Sequence, residues 1–247
     1  MDFPITSRKN SYLKHMRQLG ADRDYRGECG EYVCDGLKLL NEAAAAGCEI
    51  TSVLWKNSVE KDFGILRQYA VSEELYDYVS PLKNSPGPLF SVKMKPDKLS
   101  GISSAIVLEN VGDPGNVGTV IRSARAFGID AVICVGACAD IYNPKTVRST
   151  MGAVFTQNII RTDLQGLKEI VEASSLRLIG TALHTSSEDI RSLNLKNSAV
   201  CIGNEGSGLS AELMDMCFSL ALIPMEPACE SLNAAQAATI CMWEMYR

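Results

Sequence analysis

From residue 105 to the last residue, short and mostly apolar runs alternate with helical stretches. The runs cover 105–108, 131–135, 157–160, 176–183, 199–202 and 220–223. Between and after them, 116–127, 143–151, 164–174, 210–214 and the segment from 231 onward have helical spacing or helix-start signals. Strands that are apolar along their whole length, rather than at every second position, need cover on both faces. That pattern predicts an α/β fold with a parallel sheet between helices.

The preceding residues alternate less regularly. Leu13, Met16 and Leu19 give one apolar helical face over 10–19. Residues 31–34 read as a strand that turns at Asp35-Gly36 into a helix stopped by Gly47. Residues 50–55 read as another strand, and 65–72 and 73–80 as a strand–helix pair. The stretch "KNSPGPLFSVKMKPDKLSG" (83–101) holds three prolines and one short strand at 89–92. The expected division is a small α/β unit at 1–93, a linker at 94–104 and a larger unit at 105–247.

The net charge of −5 by itself argues against a nucleic-acid binder. Its distribution is uneven: residues 1–100 carry 14 basic and 14 acidic side chains, and 101–247 carry 10 and 15. Within 8–26, Arg8, Lys9, Lys14, Arg17, Arg23 and Arg26 face only Asp22 and Asp24, a local excess able to meet phosphates. A solvated helix face is the plain alternative. Nine scattered cysteines without a CxxC, and only two histidines, argue against a zinc site and for reduced cysteines in the core. The opening "MDFPITSRKN" lacks the apolar stretch of a signal peptide. No uninterrupted apolar run approaches a membrane span of ~18 residues. A soluble, cytoplasmic, metal-free protein with no membrane contact is expected.

Three loops at the carboxyl ends of strands, where such sheets bind ligands, are unusual. "LENVGDPGNVGTVIRSARAFG" (108–128) crowds glycines into a strand–helix turn as GxxGxxG, which is not the dinucleotide pattern GxGxxG. "AVCIGNEGSGLSAEL" (199–213) places three glycines within six residues, so a ligand can lie against bare backbone there, with Glu205 in the turn. "IPMEPACESLNAAQAA" (223–238) is a loop stiffened by Pro224 and Pro227, with Ser231 or Asn233 available to cap the last helix. Helix capping alone is a sufficient reason for that Ser/Asn pair.

In this order and spacing the three stretches resemble the signature motifs of the SpoU (TrmH-type) RNA 2′-O-ribose methyltransferases, of the SPOUT superfamily. The resemblance spans roughly 105–247. Residues 5–80 are similar to the family's substrate-binding domain, which resembles a ribosomal-protein RNA-binding fold. The resemblance implies a trefoil-knotted C-terminal domain, S-adenosylmethionine as methyl donor, RNA as substrate with ribosomal RNA ahead of transfer RNA, and a homodimer with active sites at the subunit interface. It assigns catalytic positions to Asn116, Arg122, Glu205, Ser231 and Asn233. Cofactor contacts fall on Leu183, Gly203, Asn204, Gly206, Ile223, Met225 and Leu232. RNA contacts fall on Arg8, Lys9, Lys14, Arg17 and Arg125. Two positions depart from the family pattern: Pro227 stands where glycine is common, and Arg125 where a small or acidic residue is usual. Arg122 is expected to place the target phosphate and acidify the 2′-hydroxyl, with Glu205 orienting it. Competing readings are a nucleotide-binding α/β oxidoreductase or transferase, and a non-catalytic RNA-binding protein of the same fold.

Overall fold

The computed structural model describes residues 5–65, 67–226, 228 and 231–247. They form two compact units, Met1–Pro96 with Asp140–Phe155, and Asp97–Ala139 with Thr156–Arg247.

The first unit begins with α1 (Ser11–Ala21), whose Asn10 side chain accepts from Tyr12 N and Leu13 N. Leu13, Met16 and Leu19 are fully buried, as their three-residue spacing requires. Asp22 ends α1 and caps α2 (Arg23–Cys29), a short helix not expected from the sequence. There follow β1 (Glu31–Asp35), α3 (Leu37–Ala45), β2 (Ile50–Lys56), β3 (Gln68–Val71), α4 (Glu73–Val79) and β4 (Leu89–Lys93). The sheet order is β1-β4-β2-β3, with β4 antiparallel to both neighbours and β2 parallel to β3. Leu54, Tyr76 and Leu89 meet the α1 face in its core. Trp55 on β2 is 1% exposed, its indole N–H held by Gln68.

The second unit opens with β5 (Ser104–Glu109), α5 (Pro114–Ala126) and β6 (Ala131–Val135). The chain then contributes α6 (Pro144–Thr150) to the first unit, where α6 packs on β1. Arg26, 3% exposed, is ion-paired there with Asp140 at 2.6 Å and donates to Leu19 O. So Arg26 leaves the basic surface counted from the sequence. A buried pair of this kind loses about 3–5 kcal/mol when one partner is removed.

The second unit resumes with β7 (Asn158–Thr162), α7 (Leu164–Ser174), β8 (Arg177–Thr181), β9 (Glu188–Asp189), β10 (Ser198–Ile202), α8 (Ala211–Met216), β11 (Ser219–Leu222) and α9 (Ala234–Tyr246). Its seven strands run in the order β7-β6-β5-β10-β8-β11-β9, and every pairing is parallel. All five residues of β6 and of β10 are buried. One face of the sheet shares a core with Leu167 and Ile170 of α7 and Leu213 of α8. The alternate residues, among them Ile106, Leu108, Val132 and Val200, are buried too. On that side α5 packs on β6, α9 on β10, and the two helices on each other. Among the described residues no helix is long and apolar enough to cross a membrane.

Candidate active site

The carboxyl ends of β5, β8, β10 and β11 carry the loops the sequence singled out. After β10, Gly203–Gly208 folds back on itself: Asn204 and Gly208 exchange backbone hydrogen bonds at 2.9 and 3.1 Å. The Asn204 side chain closes the turn from inside, accepting from Gly206 N and Ser207 N at 2.9 and 3.1 Å. Gly203 is required at its position, because a Cβ there would lie 2.2 Å from the Gly208 carbonyl carbon.

This turn forms one wall of a cavity of about 340 Å³. Thr181, Ala182 and Leu183 after β8 supply a second wall, and Leu222, Ile223, Met225, Ser231 and Leu232 after β11 a third. All seven residues expected to touch the cofactor, Leu183, Gly203, Asn204, Gly206, Ile223, Met225 and Leu232, line it, as do Glu205 and Ser231. The small side chains of Ala234 and Ala237 on α9 complete the surface. The mouth keeps an exposed apolar lip, Leu183 at 69%. The Pro227 turn lies outside the described residues.

Beside the cavity a chain of three side chains joins the three loops. Asn116 Nδ2 donates to Glu205 Oε1 at 2.6 Å, and Asn233 Nδ2 donates to Asn116 Oδ1 at 2.9 Å. Asp113 caps α5 by accepting from Asn116 N, which fixes where Asn116 starts. Asn233 caps α9, its Oδ1 taking Ala235 N and Gln236 N. Of the two candidate caps, Asn233 has the role. No described residue donates to Glu205 Oε2.

The expected contact between Glu205 and Arg122 is not made within one chain, where Glu205 Oε1 is held by Asn116. Six residues at ~100° each carry Arg122 about 120° round the helix from Asn116. It is exposed, with no hydrogen bond or ion pair to a described residue. Arg125 on the same helix is also exposed.

The remaining candidates belong to the first unit. Arg8 pairs with Glu74 at 2.6 Å and lies 4.8 Å from the Tyr78 ring centre. Arg17 donates to Tyr78 OH at 2.7 Å and lies over the same ring. The side chains of Lys9 and Lys14 are exposed and meet no described partner.

Two residues of the site were not singled out in the sequence. Glu109, only 3% exposed, accepts from Ser210 N and Ser210 Oγ at 2.7 and 2.6 Å. Asn110 offers its carbonyl to Asn204 Nδ2 at 3.0 Å. A charged residue ending an otherwise apolar strand was the available signal. Nearby, a hydrogen bond from the Cys134 thiol, helped by backbone hydrogen bonds to the same sulfur, lowers the pKa of the Cys138 thiol to about 7. The eight described cysteines are free, and no described cluster of His, Cys, Asp or Glu could hold a metal.

Known proteins are similar to this chain in sequence and in fold. Residues 103–243 match the family model of the SpoU rRNA Methylase family. The chain is 29% identical over 245 residues to the 23S rRNA (guanosine(2553)-2′-O)-methyltransferase RlmP of Bacillus subtilis, covering 98% of each. It is 30% identical over 263 residues to the 23S rRNA (uridine(2479)-2′-O)-methyltransferase of Streptomyces viridochromogenes, covering 98% of this chain and 91% of that one. The AdoMet-bound rRNA methyltransferase structure from Sinorhizobium meliloti is similar over 98% of this chain and 97% of that one, with a TM-score of 0.89 and 29% identity. With its matched segment spanning all three loops and the sheet that carries them, this chain belongs to the SpoU rRNA methylase family.

Proposed function

We propose that this protein transfers a methyl group from S-adenosylmethionine to a ribose 2′-hydroxyl of ribosomal RNA. The observation that carries this reading is the Glu205–Asn116–Asn233 chain set beside a glycine-walled cavity. The cavity fits the donor. Gly203 leaves backbone bare where a Cβ would collide, and Ile223, Leu232 and Leu183 provide apolar surface for a flat base.

When bound, the donor supplies a methyl group on a positively charged sulfur, open to in-line attack. A 2′-hydroxyl attacks poorly until its proton leaves. Arg122 would place the adjacent phosphate and acidify the hydroxyl by its charge; a guanidinium does not itself take up the proton. Glu205 Oε2 is the acceptor left open, while Oε1 is held by Asn116. Ser231, exposed at the cavity edge, is suited to orient the ribose. Fixing both reactants supplies much of the rate.

Because Arg122 stands outside the Glu205 chain, this reading has it complete the site across a homodimer interface. An aromatic group of Phe127, Trp243 and Tyr246 on the α5–α9 side, with Trp243 and Tyr246 at 51% and 64% exposure, supports that interface. We also assign the C-terminal segment a trefoil knot, consistent with α9 packing on both α5 and β10. The first unit would bind RNA, with Lys9 and Lys14 the freest charges for phosphate and Arg125 a further contact. The reaction is placed in the cytoplasm. Two relatives named for different nucleotides, a guanosine and a uridine, leave the target position to be mapped.

Purified protein and methyl-labelled S-adenosylmethionine, with ribosomal RNA and with transfer RNA in parallel, provide the test. The wild type should label the RNA, and mapping should place the label on a ribose oxygen. Arg122→Ala should abolish transfer while binding S-adenosylmethionine normally. Wild-type turnover in that variant removes Arg122 from the mechanism, and labelling of transfer RNA alone would change the substrate.

A further inference from the structure

The turn 203–208 holds three glycines, and such a segment has many conformations open to it unless something outside it decides. Two consecutive residues at the end of β5 supply that constraint. Glu109 takes Ser210 at the downstream end through both carboxylate oxygens, at 2.7 and 2.6 Å. Asn110 takes Asn204 at the upstream end through its carbonyl, at 3.0 Å. Asn110 has φ +54, a left-handed conformation that turns its carbonyl off the strand direction. That conformation is held from the other side, because Asn110 Oδ1 accepts from Ala137 N at 2.8 Å.

We propose that Glu109 is a positioning residue for S-adenosylmethionine binding, holding the 203–210 segment in its bound shape before the donor arrives. The inference rests on the function proposed above. A helix cap does not need this carboxylate. Ser210 already caps α8 through Leu213 N at 3.1 Å. Burying a carboxylate is unfavourable unless it is hydrogen-bonded, and here both bonds go to one residue at the edge of the cofactor turn. Charge-assisted bonds are about twice as strong as neutral ones, so Glu109 holds the turn more firmly than a neutral side chain would. A turn left to fluctuate binds its ligand only for the fraction of time it spends in the competent shape, and its Kd rises by the inverse of that fraction.

Glu109→Gln keeps the shape and one acceptor oxygen but removes the charge. Its Kd and KM for S-adenosylmethionine should rise about tenfold, the effect of a binding-competent turn present a tenth of the time. Its kcat at saturating donor should stay near the wild-type value. Deuterium exchange of 203–210 without donor should accelerate, with the β5 and β10 amides unchanged. Ser210→Ala, which keeps the backbone bond to Glu109, should show the same pattern more weakly and serves if Glu109→Gln does not fold. An unchanged Kd with unchanged exchange overturns the proposal, as does a fall in kcat at constant Kd. Failure of the wild type to bind S-adenosylmethionine would instead remove the functional reading, while the exchange measurement still judges the clamp.

Discussion

Asn233 serves two neighbours with the two ends of one amide. Its oxygen caps α9, and its NH2 group reaches Asn116. Asn233→Asp separates the roles. Aspartate is an equally good helix cap and suits the positive end of the helix dipole, but it has no donor for Asn116 Oδ1. The variant should melt near the wild-type temperature and lose about tenfold in kcat, roughly the worth of one hydrogen bond. A melting curve with a methyl-transfer assay checks it; unchanged turnover would leave Asn233 a helix cap only. The three residues of this chain were legible in the sequence as members of motifs. Their mutual contacts were not, because they join positions 89 and 117 residues apart. Glu109 escaped because the strand was expected to end with its last apolar residue, Leu108. The hydrogen bonds to Ser210 are what keep a charge in that buried place.

Among the elements, the turn after β10 has the narrowest tolerance. Gly203→Ala puts a methyl group 2.2 Å from Gly208, so the 204–208 bridge must open. Overpacking of this kind destabilises by about 1–3 kcal/mol, and donor affinity should fall with it. Gly206→Ala is the contrast, since its Cβ would meet nothing nearer than Asn204 Oδ1 at 3.5 Å. Calorimetry on both variants distinguishes them; equal losses would mean the close approach at Gly203 does not govern the turn. The parallel strands were readable because burial on both faces writes continuous apolar runs. What escaped was short or polar. β9 is only Glu188–Asp189, recognisable through its pairing with β11, and α2 is seven residues with little apolar pattern.

For the molecule as a whole, sequence order was a poor guide to which unit residues 140–155 join. They lie between two strands of the second sheet, yet Tyr142 packs on Tyr32 and Arg26 pairs with Asp140 in the first unit. Nothing in periodicity reveals a partner more than a hundred residues away. The proposed dimer belongs to this scale as well. The wild type should scatter light as twice the chain mass. Trp243→Glu, which puts a charge in the exposed aromatic group, should give monomers that bind S-adenosylmethionine but do not transfer methyl groups. A dimer that persists in this variant would move the interface elsewhere.

The two tryptophans of the chain fall one to each unit. Trp55 is sealed in the first sheet and hydrogen-bonded, whereas half of Trp243 faces outward from α9. Their fluorescence therefore differs in colour, the first emitting toward the blue and the second closer to indole in water. With Trp243→Phe, every emitted photon of indole light comes from the first unit. Its opening during denaturation can then be followed by itself, leaving the C-terminal helix silent in indole emission.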